Sequence, residues 1–331
     1  MGAKDGSGSA RVLFSRIRRS RWAGLATVVF VLGVAYVGTQ TGDTVPIDRP
    51  PFVPIDAPND PVGTGRGIHP GRVVWVHNAD ATSWDGDSGY WWEDSRYWWE
   101  AENTDHEIVA SMLSSSLQAL VGTGNDQEAW QALFEDFNAR HGKGSVGYQP
   151  GEQIAIKLNL NQARSYRHPG NALYPSPQLV VALLHQLVEV VGVPQAQIAL
   201  YDISKYFPET LLNPIRIAYP GVRLIDWKGG PGRQQYKRDS SVRVRWSEDL
   251  TLGRDGGNPT FLTRCVTDAE YLINLSNLKG HRLAGVSFCA KNRFGSISVS
   301  RADRGGVPWQ SAPIAAGLHP YIAAHDFRLG N

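Results

Sequence analysis

Apolar positions change their period several times along the chain, and each change marks an element. From Trp22 to Gly38 the chain runs WAGLATVVFVLGVAYVG without a charge, near the lower length limit for a helix that spans a bilayer. Residues 39–71 then lose periodicity and fill with proline and glycine, as an extended tether does. RVVWVH, Arg72–His77, restores order as a short strand of β-branched residues. Thr104-Asp105-His106-Glu107 has capping-box spacing and predicts a helix reaching about Leu120. A second helix is predicted over Asp126–Arg140, where Trp130, Leu133, Phe134 and Phe137 fall on one face.

From Gly151 onward, strand and helix patterns alternate. EQIAIKLNLN reads as a strand, and Ser176-Pro177 is an N-cap with proline at the first helical position, opening the apolar helix PQLVVALLHQLVEVVG. A strand QIALYD, a helix over about Glu209–Ala218, a strand GVRLIDW, a hairpin strand SVRVRW and a buried strand AEYLINLS follow. This order predicts an α/β fold: a mostly parallel, Rossmann-like sheet flanked by helices, with an N-terminal transmembrane helix. The expected organisation is a basic segment 1–21, an anchor or signal 22–38, a tether 39–71, an aromatic-rich part 72–150 and an α/β domain 151–331.

Composition narrows the setting. The 331 residues suffice for a sizeable core, and a net charge of +2 gives no global reason to expect nucleic acid as a partner. The basic excess is local: Arg11, Arg16, Arg18, Arg19 and Arg21 precede the apolar run. Positive charge stays in the cytoplasm, so a single-pass cell-membrane protein is expected, with everything after Gly38 extracytoplasmic. Cleavage after the small residues Gly33-Val34-Ala35 would make it secreted instead. Two cysteines, Cys265 and Cys289, are too few for a four-thiolate iron–sulfur cluster or a zinc ribbon; they read as two buried thiols, or as one disulfide if the domain is exported. No other cofactor is indicated.

The candidate chemistry sits at strand ends. In IAIKLNLN, Ile154, Ile156, Leu158 and Leu160 take one face, while Lys157, Asn159 and Asn161 take the other. A central strand of an α/β sheet is apolar on both faces, so these donors need a partner. Asp202 ends the strand IALYD, and Asn274, Asn277 and Lys279 follow YLI, with His281 two residues on. Lys291 and Asn292 come from the segment that follows. Ligands of open parallel sheets bind beyond the carboxyl ends of the strands. A crevice of lysines, asparagines and a histidine there suits a phosphate or a carboxylate, with lysines as point charges and asparagines fixing orientation. A buried lysine among cations also suits a general base or a Schiff base. Alternatively, Lys157 and Lys279 pair with Asp202 and other acids as a structural network.

KLNLN, the YPSPQLVVALLHQLVE helix, the YDIS strand end, NLKGH and AGVSFCAKNRFGS occur in this order over about residues 151–300. Together they resemble the "domain of unknown function 362" family. The resemblance implies Lys157, Asn159, Asp202, Lys279, His281, Lys291 and Asn292 as its site residues. In an enzyme, Lys279 or Lys291, with His281, would be the catalytic groups, and Lys157, Asn159, Asp202, Asn277 and Asn292 would bind the ligand. The resemblance supplies no reaction. Some relatives carry ferredoxin-type cluster modules, but this chain lacks the cysteines for that role. The family pattern also continues past His319, so the chain is expected to be a truncated member.

Other signals compete. NADATSWDGDSGYWWEDSRYWWE, Asn78–Glu100, sets Trp84, Trp91, Trp92, Trp98 and Trp99 beside Asp80, Asp85, Asp87 and Asp94. Indole faces and carboxylates can hold sugars, which makes a cell-envelope glycan-binding module the alternative function, although core packing accounts for the tryptophans as well. The aspartates lack the closing glutamate of a calcium loop, and no histidine pair has metal-ligand spacing, so no metal is expected. His185, inside an apolar helix, reads as a packing histidine. WKGGPGRQQYKRD, Trp227–Asp239, reads as a solvated loop. GVSFCA lacks the glycine pattern of a nucleophile elbow, so a hydrolase is unsupported.

Overall fold

A computed structural model gives the fold, and it describes residues 28–29, 63–84, 97–160, 174–244, 260–281 and 285–299. Its strands are β1 (Val28–Val29), β2 (Ile154–Leu158), β3 (Ile198–Asp202), β4 (Arg223–Asp226), β5 (Gln234–Gln235), β6 (Arg238–Arg243), β7 (Thr260–Thr263), β8 (Tyr271–Leu275), β9 (Lys279–His281), β10 (Gly285–Ser287) and β11 (Ile297–Val299). Its helices are α1 (His106–Val121), α2 (Asp126–Arg140), α3 (Pro177–His185), α4 (Glu209–Ala218), α5 (Arg264–Thr267) and α6 (Cys289–Asn292). The main sheet has the order β1-β8-β2-β3-β4-β5, with every pair parallel. A second sheet, β11-β7-β6, and the hairpin β10-β9 are antiparallel. The mostly parallel α/β sheet expected from the strand–helix alternation is therefore present.

The chain walks outward from β2 through α3, β3 and α4 to β4, then returns to lay β8 on the other side of β2. The strand order thus reverses between β2 and β8, which is a topological switch point. Alternation along each strand divides two cores. Ile154, Ile156, Leu158, Ile198, Leu200, Leu224 and Ile273 pack with residues of α1 to α4. Ala155, Ala199, Tyr201, Ile225 and Leu272 pack instead with Cys265 and Val266 of α5.

Local chemistry sets the helix ends. α1 starts one residue later than the capping-box pattern implies: Asp105 is the N-cap, its carboxylate accepting from Ile108 N at 2.9 Å. Thr104 is drawn away because its hydroxyl donates to the Trp98 carbonyl. α1 ends at Gly122, whose φ of 88° is the left-handed cap conformation. Its last carbonyls are met by His69, at 2.8 Å from Val121 O, and by the Arg72 guanidinium, at 3.1 Å from Leu120 O. Ser176 caps α3 as expected, accepting from Leu179 N at 3.0 Å.

Three expectations need correction. Arg72–His77 alternates in burial, with Val74 and Val76 inside and Val73 and Trp75 outside, but joins no sheet among the described residues. His185 is exposed, because it falls on the solvent side of α3. The segment Trp227–Asp239 is more than a solvated loop: it adds β5 to the sheet and sends Arg233 back to the buried Asp226. Apart from Val28–Val29, the expected anchor 22–38 lies outside the described residues, as do Trp91, Trp92, Asp85, Asp87, Asp94, Asn161 and the expected truncation point past His319. Among the described residues, no helix is long and apolar enough to cross a membrane.

Candidate functional site

The site forms where β2 and β8 end. Parallel register sets Lys157 beside Asn274 on one side and Tyr201 on the other. One pleat below, Ala155 pairs with Ala199 and Leu272 in the same way, so the second face of the sheet is apolar at its base and polar at its edge. Lys157 is 1% exposed, and its Nζ lies 3.0 Å from the Asp202 carboxylate, which is equally enclosed. The same ammonium donates to Asn292 Oδ1 at 3.1 Å and to the Leu158 carbonyl. Asp202 also accepts from Leu160 N at 2.8 Å, Ser204 N at 2.9 Å and the Ser204 hydroxyl at 2.6 Å. Such a pair persists in the interior only because its remaining lone pairs and protons are satisfied.

Asn292 spans the switch point. Its amide donates to Asn274 Oδ1 at 2.7 Å while its oxygen accepts from Lys157. Asn274 in turn donates to the Cys289 carbonyl at 2.8 Å, which fixes the start of α6 against β8. The short helical turn after α6 then crosses directly over the ion pair. A Cβ on Gly295 would stand 2.6 Å from Lys157 Cε and 2.9 Å from Asp202 Oδ1, so no larger residue fits without a shift. Next to it, the Ser296 and Tyr201 hydroxyls are 2.8 Å apart.

Lys279 and Lys291 complete the cationic edge. The β9–β10 hairpin pairs Lys279 with Ser287 and returns the chain so that α6 brings Lys291 back over β8. Lys279 is 8% exposed. Burial, with the charges of Lys291 and Lys157 and against the pull of Asp202, lowers its amine to about 8. Burial also pushes Lys157 below its ordinary value, against the attraction of Asp202, and it lowers Lys291. The Lys291 side chain is half-buried, yet its Nζ is enclosed and has no hydrogen-bond partner among the described residues. A buried donor left unpaired costs free energy, about 1–3 kcal/mol, and more when charged.

The expected site residues thus divide. Lys157, Asp202 and Asn292 form one network, and Lys279 and Lys291 lie at its edge. Asn159 is buried just past β2. Asn277 is half-buried in the link to Lys279, and no hydrogen bond ties it to the network among the described residues. His281 ends β9, but its side chain lies outside the described residues. Gly295, Tyr201, Ser296 and Ser204 are additions to the expected set. Asp226 is another: buried beside Asp202 in register, it pairs with Arg233 and accepts from Phe207 N at 3.1 Å and Gly229 N at 2.6 Å. Its presence at the end of GVRLID was the available signal. Both thiols are free; burial pushes Cys265 up to about 11 and raises Cys289, which neighbours Ser276 at 3.0 Å.

Trp98 and Trp99 of the tryptophan segment lie elsewhere. Trp98 packs on Tyr174, with ring centroids 5.6 Å apart, and joins the helix-side core. Trp99 stacks on Tyr97 at 4.9 Å and lines a cavity of about 560 Å³ with Glu100, Glu102, Gln178, Val181 and Ile217. That cavity sits among the helices and shares no residue with the lysine cluster.

Fold and site together define an α/β protein with a lysine- and asparagine-lined edge at the switch point of its sheet. Residues 245–318 match the family model described as Domain of unknown function (DUF362), the family that the motifs resemble. The match takes in Lys279, His281, Lys291 and Asn292, while Lys157, Asn159 and Asp202 precede it. No curated protein and no solved structure matches the chain.

Proposed function

We propose that the protein binds a small anion, a phosphate or a carboxylate, at the carboxyl edge of a Rossmann-like sheet. Lys279 and Lys291 make the charged contacts, and the Lys157–Asp202–Asn292–Asn274 network is the rigid floor beneath them. Lys157 therefore acts through the floor, since its ammonium is already taken by Asp202 and Asn292. The observation that carries this is the enclosed Nζ of Lys291, which has no partner among the described residues, beside the switch point. An anion there would give that ammonium its missing acceptor.

Calorimetric titration of the full chain with inorganic phosphate and with acetate tests it. Binding is expected in the parent and should weaken by about 10- to 100-fold in Lys291→Met, the range for a charged hydrogen bond. The same variant should unfold at higher denaturant when no anion is present, because a buried charge is gone. A parent that takes up neither anion, or a Lys291→Met variant that binds as tightly, sinks the proposal.

The arginine-flanked apolar run supports the rest of the setting: a single-pass anchor over residues 22–38 with the folded part outside the cytoplasm. Carbonate extraction and protease access to intact cells test it; release of the chain by carbonate would exclude the anchor. One observation favours a second function, glycan binding, because Trp99, stacked on Tyr97, lines a cavity that also carries Glu100 and Gln178. Under that function Trp99→Ala abolishes glycan retention while phosphate binding stays intact.

A further inference from the structure

We propose that the cavity beside Trp99 binds a primary ammonium carried on an apolar body, as in an alkyl amine or an amino sugar. This site is independent of the anion site, with which it shares no residue, and it puts a charged ligand where a neutral glycan would otherwise sit.

The wall of the cavity is largely apolar. Val181 of α3, Pro214 and Ile217 of α4 and the Trp99 indole surround about 560 Å³. Ile217 is the most exposed large apolar side chain among the described residues, at 83%. The polar groups on this wall are mostly acceptors. Glu100 and Glu102 bring two carboxylates, and neither is in an ion pair among the described residues. Glu100 is held in place because its Oε2 accepts from Tyr97 N at 2.9 Å.

Two acceptors on the same wall are short of donors. Gln178 is 9% exposed, and its Nε2 donates to the Trp99 carbonyl at 3.1 Å, which fixes the amide. Its Oε1 is enclosed and has no hydrogen-bond partner among the described residues. An orphaned acceptor of that kind costs free energy until a donor reaches it. Pro214 stands inside α4 and has no N–H, so the Thr210 carbonyl goes without its i+4 helical donor. The helix starts nearby are already capped, by Asp105 on Ile108 N and by Ser176 on Leu179 N, and so make no anion site. His106, exposed at the start of α1, is the one lining side chain able to carry positive charge.

The cavity therefore calls for donors and for positive charge. A primary ammonium supplies three N–H donors and one charge, enough to meet a carboxylate and the Gln178 oxygen. An indole attracts such a cation within about 6 Å, and the ligand's carbon body covers the apolar wall. A neutral sugar brings donors without charge, and an anion would meet two carboxylates.

Calorimetric titration of the full chain tests it. The probes are 1,5-diaminopentane, 1,5-pentanediol, which has donors without charge, and pentyltrimethylammonium, which has charge without donors. The diamine should bind, and the other two should bind about tenfold more weakly or less. Glucosamine and N-acetylglucosamine separate the two sources. Glucosamine tighter than the diamine assigns the amine to a sugar, the reverse assigns it to an alkyl chain, and both support the site. Glu100→Gln with Glu102→Gln removes both charges but keeps an acceptor for Tyr97 N. It should lower diamine affinity about tenfold with urea unfolding unchanged, and Gln178→Leu should lower it by a similar factor. Lys291→Met should bind the diamine as the parent does while its phosphate affinity falls, so the two sites fail separately. A diol as tight as the diamine, or N-acetylglucosamine as tight as glucosamine, overturns the ammonium and leaves the neutral glycan standing. A quaternary cation as tight as the diamine overturns the part given to Gln178 and with it the proposal. No binding of any amine, or amine binding undiminished in both cavity variants, overturns the site.

Discussion

The two faces of the main sheet are built from the same strands, one residue out of phase, and they hold different things. On the helix-covered face, Ile154, Ile156, Leu158, Ile198 and Leu200 are fully buried against apolar side chains. On the other, the three central strands β2, β3 and β8 begin with a small or apolar residue and end with a polar one: Ala155 then Lys157, Ala199 then Tyr201, Leu272 then Asn274. The first face gains stability from burial, at roughly 25 cal/mol per Å² of apolar surface. The second carries Lys157, which meets Asp202 at the end of β3, and gains little from that charge, since a buried ion pair roughly breaks even against an apolar pair of similar shape. Stability alone therefore gives no reason for Lys157 and Asp202 to be there, which is the comparison's main lesson. What the pair does provide is a fixed platform at the switch point, held by directional bonds.

The largest effect should come from breaking the platform. Asp202→Ala leaves the Lys157 ammonium buried without its carboxylate and strands Leu160 N, and should cost about 3–5 kcal/mol in urea unfolding. Replacing both partners, as Lys157→Met with Asp202→Leu, should recover part of that loss but not all, because Leu160 N and Ser204 N still lack an acceptor. A single variant that loses under about 1 kcal/mol would mean the pair is hydrated in solution. On the opposite face, Leu183→Ala removes a fully buried side chain of α3 and should cost about 3 kcal/mol. Phosphate affinity should not change with it. If it does, the two faces are coupled and the division drawn above fails.

Much of this division is legible in the sequence, and what is not has physical causes. The period-two pattern of IAIKLNLN and IALYD separates the faces and flags Lys157, Asn159 and Asp202, because charge in a central strand is costly wherever it occurs. The helix α2 follows its periodicity to the residue, and α4 fills the span expected at about Glu209–Ala218. Contacts made across long sequence separations leave no local mark. Nothing near Gly295 says that its α-carbon must pass over Lys157, 138 residues earlier, and nothing near Arg233 announces Asp226 as its partner. The Asn292 bridge between Lys157 and Asn274 belongs to the same class. Donor-rich composition marks a candidate site; which donors are spent on one another depends on packing.

A smaller change probes that packing directly. Gly295→Ala puts a methyl where Lys157 Cε and Nζ and Asp202 Oδ1 already lie within 3 Å. Lys157 is pinned by Asp202, Asn292 and Leu158 and cannot swing aside cheaply, so overpacking should cost about 1–3 kcal/mol. It should also weaken phosphate binding, because the floor moves with the lysine. A substitution tolerated on both counts would show that the turn over the ion pair is loose.

The smallest effect is a slope, and it belongs to the second face alone. In the unfolded chain the Lys279 amine keeps its proton up to its ordinary value of 10.5; in the folded chain, burial and then Lys291 and Lys157 bring release down to about 8. Below pH 8 both states are protonated, and folding carries the penalty of an enclosed charge. Between about 8 and 10.5 the unfolded state holds the extra proton, so stability rises with pH across that window. Lys279→Met has no such proton to lose. The parent should therefore gain on the variant as denaturant midpoints are followed from pH 7 to about pH 10, with phosphate absent. Phosphate should reverse the trend, since an anion beside Lys279 favours its charged form. A difference between the two proteins that stays flat with pH would mean that the amine titrates normally and that the second face is no more cationic than an ordinary surface.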